Sequence, residues 1–380
     1  MNGTNSTNST HGANSTAGSA GTGSAVGRFR GWGGVAAMGA ACALTGVLAL
    51  VPLCLGGAPG GSAPGGSAPG GSAPDRQEHD RQERDGGGVV RVQPAGAAAA
   101  RSETCTDPEA SLRPSSADGP AVDAIKARGK LIVGVDQNSY RWGYRDPAKG
   151  TLEGFDIDLA RAIAADIVGS PDAVIFRAVP TNQRIAALEG GKVDLIVRTM
   201  TINCARIEQV AFSTAYFQTG QQVLAPKDST VTGYDASLAG KRVCSAEGST
   251  AYEALERDAF GAKYRDEGDG TPQDADRLTV PNQLDCLVRL QTGEVDAIVT
   301  DSALAAGQAA QDPAVELKGR PFTTEYYGVA AKLGKDDLVR RVNQVLVAYR
   351  NGPWQRAYDK WLKADLPGIA GPPAPKYRTG

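Results

Sequence analysis

Beyond about residue 120 the chain alternates two hydrophobic periods. AVDAIKARGK (residues 121–130) reads as a helix closed by Gly129, and LIVGVD as a short buried strand; a polar loop with Tyr140, Trp142 and Tyr144 follows. FDIDLARAIAADIVG spaces its apolar residues for one helical face, AVIFRAV reads as a strand, TNQRIAALEGG as a helix and VDLIV as another strand. After a change of character at residues 217–226 the alternation resumes. KRVCSAEG is a strand, STAYEALERDAF a helix, and LTVPNQLDCLVRLQTGEVDAIVTD gives strand, helix and strand. YYGVAAKL, DDLVRRVNQVLVAYRNG and PWQRAYDKWLKADL add a last strand and two helical segments that should close the first unit. Two segments match internally: TNQRIAALEGGKVDLIV and PNQLDCLVRLQTGEVDAIV share helix, glycine turn and Val-Asp strand. The pattern predicts an α/β protein of two similar lobes, with a binding crevice between them at the strand ends.

The first hundred residues carry no such alternation. Residues 1–30 are mostly Gly, Ser, Thr and Asn, a composition that predicts a disordered tail. Residues 31–55 include 21 largely apolar positions from Val35 to Leu55, preceded by Arg28 and Arg30, and predict a signal peptide or membrane anchor. Cys42 sits early in that run; Cys54 ends it but follows Pro52 and Leu53, where lipid attachment expects small side chains. Residues 56–104 hold repeated Gly-Ser-Ala-Pro units and then a charged stretch, and read as a flexible linker. The expected product is extracytoplasmic, attached to the outer face of the membrane or secreted, with a monomeric soluble domain. Lobe 1 is assigned to 105–222 and 325–366, lobe 2 to 223–324, and a C-terminal tail to 367–380.

Composition removes several chemistries. The only histidines, His11 and His79, lie outside the folded part, so histidine triads and histidine-ligated metals are excluded there. Net charge is -2, which gives no general attraction to nucleic acid. Glu153 and Asp158, the acids an enzyme would recruit, fall at a turn and a helix start. No catalysis, metal or cofactor is expected. Cys105, Cys204, Cys244 and Cys286 are an even set in an exported domain and allow three pairings. Cys244 with Cys286 and Cys105 with Cys204 is preferred, because each pair then falls within one lobe.

The run VDLIVRTMTINCAR brings a buried strand to hydroxyls and an arginine, an arrangement suited to holding a small anion. Ser249 and Thr250 open a helix, where free N–H groups favour an anion, and Asp301 ends a strand. From about Ala121 to Leu366 the chain resembles extracytoplasmic solute-binding proteins of the polar amino-acid type, through LIVGVD, LEGFDIDLARAIA, ALEGGKVDLIV, TMTINCARIEQVAFSTAYF, GKRVCSAEGST, VDAIVTD and YYGVAAKL in order. Among these it is most similar to actinobacterial glutamate- and aspartate-binding lipoproteins of ABC transporters. The resemblance implies the periplasmic-binding-protein type II fold. It also implies that Arg206 grips the ligand's α-carboxylate, that Thr201, the backbone around Thr199, and Thr250 add donors, and that Asp301 receives the α-ammonium. Arg184, in TNQR, would meet a distal carboxylate, with Arg198 as second candidate. Asp136 would assist Asp301, while Tyr140 and Trp142 would cover the ligand's aliphatic part. Glutamate or aspartate is the expected ligand, glutamine or asparagine the alternative. The partner is an ABC permease or a membrane sensor reading the closed form, with closure about hinges at residues 217–226 and 319–326.

Overall fold

The computed structural model describes residues 105–265 and 278–379. The expected tail, anchor and linker, residues 1–104, lie outside the described residues. Each lobe is built on a five-stranded sheet, and the two sheets share one plan. In the first lobe the strand order is Val174–Ala178, Leu131–Val135, Leu195–Ile196, Ala330–Lys332, Val210–Phe212. In the second it is Thr279–Val280, Val243–Ala246, Ala297–Asp301, Gln221–Pro226, Val315–Lys318. The first three strands of each are parallel, and the fourth runs against its neighbours on both sides. That fourth strand is in each lobe the first one laid down after the chain crosses over. The internally matching segments supply the third strand of their respective sheets, so the repeat seen in sequence is a structural one.

The crossings themselves form a two-stranded antiparallel ribbon, Phe217–Thr219 against Glu325–Tyr327. Gly220 follows the first of these strands at a point where a Cβ would stand 2.1 Å from the Thr323 carbonyl oxygen. Only glycine allows the two crossing chains to approach so closely. YYGVAAKL is therefore two strands rather than one, Tyr327 ending the ribbon and Ala330 entering the first sheet, with Gly328 wedged against Ile202 and Phe212.

The first lobe's core is rich in aromatics. Trp142, Phe155, Phe217, Tyr327 and Trp354 stack edge and face within one cluster, with Trp142 4.8 Å from Phe217. The last helix, Pro353–Trp361, places Trp354 and Tyr358 in that cluster, as its sequence position suggested. Helix Thr250–Arg257 is shorter than STAYEALERDAF predicts: Asp258 is extended and Phe260 takes a positive φ of 51°, so the run turns before its apolar end. The C-terminal tail is tied down. Ser111 donates N–H to Lys376 and accepts from Arg378, while its hydroxyl donates to Phe212, fastening the segment at Ser111 and the C-terminal tail to the first sheet.

Both disulfides have the pairing preferred from sequence, Cys105–Cys204 and Cys244–Cys286, with Cα atoms 5.9 and 5.6 Å apart. Cys244 and Cys286 are fully buried in the second lobe and join a strand to the helix that covers it. Replacing both with serine should lower unfolding free energy by about 2–4 kcal/mol, chiefly by freeing the unfolded chain, as measured by urea denaturation.

Candidate functional site

The crevice is assembled from loops that leave the parallel strands of both lobes. At the end of Leu131–Val135 the carboxylate of Asp136 accepts from Gln137 N, Asn138 N and Ser139 Oγ at 2.8, 3.0 and 2.7 Å, which fixes the turn. Past Leu195–Ile196 the chain enters a sharp bend. Thr199 has a positive φ of 39°, uncommon for a β-branched residue, and its N–H is held at 3.0 Å by Asp156. Asp156 also accepts the Tyr216 hydroxyl at 2.9 Å; burial pushes its carboxyl up to about 7, against the pull of those two hydrogen bonds.

The bend delivers Thr201 and then the helix Cys204–Ile207, whose N-cap Asn203 accepts from Arg206 N at 2.9 Å. The Arg206 guanidinium donates to Thr201 O at 2.8 Å and crosses the crevice to Gly248 O at 3.1 Å, with Glu253 at 3.5 Å. Arg184 opens its helix with Nε donating to Thr181 O at 2.8 Å and Nη2 to the same Gly248 carbonyl at 2.9 Å. One carbonyl of the second lobe thus answers two arginines of the first. Burial holds both arginines below their ordinary basicity; for Arg184 the nearby Arg206 and Arg198 add to the effect.

From the second lobe come Ser249, Thr250 and Asp301. Asp301 accepts from Gln221 Nε2 and from the Tyr327 hydroxyl, and its carboxyl is pushed up to about 8, first by burial and then by the negative charge of Glu325. Glu325, on the crossing ribbon, accepts the hydroxyl of Thr201 at 2.6 Å and that of Thr250 at 2.7 Å.

Seven of the eleven residues singled out from sequence line one space: Arg184, Thr199, Thr201, Arg206, Ser249, Thr250 and Asp301. Four do not, and three of these call for correction. Asp136 is paired with Arg198, Oδ2 to Nη2 at 2.9 Å, both side chains almost fully buried, and does not line the space with Asp301. Arg198 is drawn into the same pair: its charge is met by Asp136 and its Nη1 donates to Thr181 Oγ1 at 2.9 Å, while its buried Nε makes no hydrogen bond among the described residues. Trp142 is core, 1 % exposed, its indole N–H donating to Ala303 O at 3.2 Å, so it does not cover a ligand. Tyr140 sits in an adjoining groove with Gln283, Leu304 and Gln308, under the Arg141 guanidinium. Ser249 lines the space but is the helix N-cap, accepting from Tyr252 N and donating to Ala246 O. Glu325, Gln221 and Tyr327 went unnoticed in sequence. Their signal was a carboxylate and paired glutamines opening otherwise apolar strands.

Two lobes on one plan, joined by a double crossing and enclosing a space lined by two arginines, hydroxyls and an aspartate, define a solute receptor. Residues 131–364 match the model of the bacterial extracellular solute-binding proteins, family 3, and the chain belongs to that family. It is 34% identical over 243 residues to the ABC transporter glutamine-binding protein GlnH of Bacillus subtilis, covering 64% of this chain and 84% of that one. It is 28% identical over 265 residues to the glutamate-binding protein GluB of Corynebacterium glutamicum, covering 66% and 84%. An ancestral arginine-binding protein solved with glutamine superposes with a TM-score of 0.55 at 32% identity, over 62% of this chain and 98% of that one. Family and fold are those of non-catalytic receptors, and the place of action is extracytoplasmic.

The Asp136–Arg198 pair makes a stability prediction. Asp136→Ala leaves a buried guanidinium without its anion and should cost about 3–5 kcal/mol, whereas Asp136→Ala with Arg198→Met should recover much of the loss. Urea unfolding of the single and double variants measures both.

Proposed function

We propose that the chain is the receptor of an ABC importer for a polar amino acid, held at the outer membrane face by its N-terminal segment, and that its ligand is glutamate or aspartate. The carrying observation is Arg184. Its guanidinium is buried, is hydrogen-bonded only to backbone carbonyls, and has no carboxylate paired with it among the described residues. A buried cation in that state favours an anionic ligand group, and a planar guanidinium suits a carboxylate. In this reading Arg206 holds the α-carboxylate, Asp301 the α-ammonium and Arg184 the distal carboxylate. Glutamine is the second reading, supported by the similarity to the Bacillus glutamine-binding protein.

Calorimetric titration with the common amino acids tests the function. Glutamate or aspartate should bind more tightly than its amide, and Arg184→Gln should weaken the acids about tenfold or more beyond the amides, since hydrogen bonds to charged groups contribute about 1.5–3 kcal/mol. Equal losses for acids and amides would reduce Arg184 to a support, and a wild type preferring glutamine would establish the second reading.

A pH dependence follows from Asp301. With its carboxyl pushed up to about 8, the free crevice holds a proton there at neutral pH, and an incoming ammonium must expel it. Affinity should therefore rise as pH rises from about 6 to 8 and level off above, with protons released on binding. Titrations in two buffers of different ionisation heat measure the release; a flat affinity and no release would contradict the role given to Asp301.

A further inference from the structure

Glu325 is a buried carboxylate, bonded to two threonines that line the crevice, that no sequence argument assigned. It lies on the ribbon that joins the lobes and is 6 % exposed. One of its oxygens, Oε2, meets Thr201 Oγ1 of the first lobe and Thr250 Oγ1 of the second. The other, Oε1, lies 3.3 Å from Thr323 Oγ1.

The direction of these bonds is set by chemistry. A carboxylate has only acceptor oxygens, while each hydroxyl has one hydrogen to give and two lone pairs to offer. Thr250 supplies a separate argument, because its oxygen also accepts from Gln221 Nε2 at 2.8 Å, which leaves its hydrogen for Glu325. Both hydroxyl hydrogens are therefore drawn toward Glu325. Thr201 and Thr250, expected from sequence as donors to a ligand carboxylate, instead have their donors occupied, and what remains to offer is lone pairs. Glu325 is also close enough to Asp301 to raise that carboxyl.

We infer that Glu325 is a positioning residue for the ligand's amine: it turns the Thr201 hydroxyl into an acceptor and adds a second negative charge beside Asp301, so that this end of the crevice selects an ammonium. The inference rests on the amino-acid reading above and divides the site more sharply than that reading does. The two arginines select carboxylates, and the Asp301, Thr201 and Glu325 group selects the amine. An opposing account has the same geometry: Glu325 as an internal stand-in for the ligand's α-carboxylate, competing for the threonine hydroxyls. The two accounts differ in the sign of one substitution.

The test compares glutamate with glutarate, which has the same two carboxylates and no amine, by calorimetry on the wild type, Glu325→Gln, Thr201→Val and the double variant. Glu325→Gln should weaken glutamate by about tenfold or more and leave glutarate unchanged or tighter, because an amide can give hydrogen to a threonine oxygen where the carboxylate only takes it. Thr201→Val should show the same amine-selective loss, and the double variant should lose no more than the larger single loss. Tighter glutamate binding by Glu325→Gln would establish the competitor account and overturn the inference. Equal losses for glutamate and glutarate in Thr201→Val would overturn it independently, whether or not Glu325→Gln folds. A wild type that binds neither glutamate nor glutamine would overturn the functional reading and this inference together, whereas binding by the wild type that Glu325→Gln leaves unaltered would overturn this inference alone.

Discussion

A guanidinium taken out of water must be answered by acceptors, and the crevice is organised around that requirement. Arg184, Arg198 and Arg206 all come from the first lobe and all are buried. Each is answered differently. Arg198 is ion-paired with Asp136; Arg206 has two carbonyls and a distant Glu253; Arg184 has, among the described residues, carbonyls alone. A carbonyl dipole solvates a cation without cancelling its charge, so Arg184 and Arg206 keep more of their field than Arg198, which faces a carboxylate. The Gly248 carbonyl is the element on which this depends. It belongs to the second lobe, and its distances to both arginines hold only while the lobes are together.

The parts of the fold that were legible in sequence are those governed by periodicity and punctuation. Leu131–Val135, Phe155–Val168 and the paired helix–strand units carry their own local signal, and Gly129 ends its helix in a left-handed turn as its position suggests. Asp301 was legible for another reason, since it ends an apolar strand where the chain turns to the crevice, and Arg206 because it follows a strand and a pair of threonines, on a short helix.

What was not legible depended on partners distant in sequence. Nothing local to Asp136 says that Arg198, in the bend past the neighbouring strand, will claim it, and the two had been assigned to opposite ends of a ligand. Trp142 was misplaced because a loop aromatic reads as exposed, yet Phe155, Phe217 and Tyr327 close around it from three separate stretches of chain. Glu325 was missed because it stands just before the run that reads as a strand, in the segment taken for a hinge. It reaches Thr201 and Thr250 from the ribbon in which the two crossings pair, beside the close approach at Gly220.

The bond between Cys105 and Cys204 has a mechanical consequence. Helix Cys204–Ile207 carries Arg206, and Cys105 is the first described residue of the chain. A force travelling along the polypeptide from the N-terminal side arrives at this covalent junction before it reaches the strap around Ser111. The disulfide thus offers such a force a covalent path to the helix holding Arg206, in parallel with the hydrogen bonds that join Ser111 to Phe212 and Lys376.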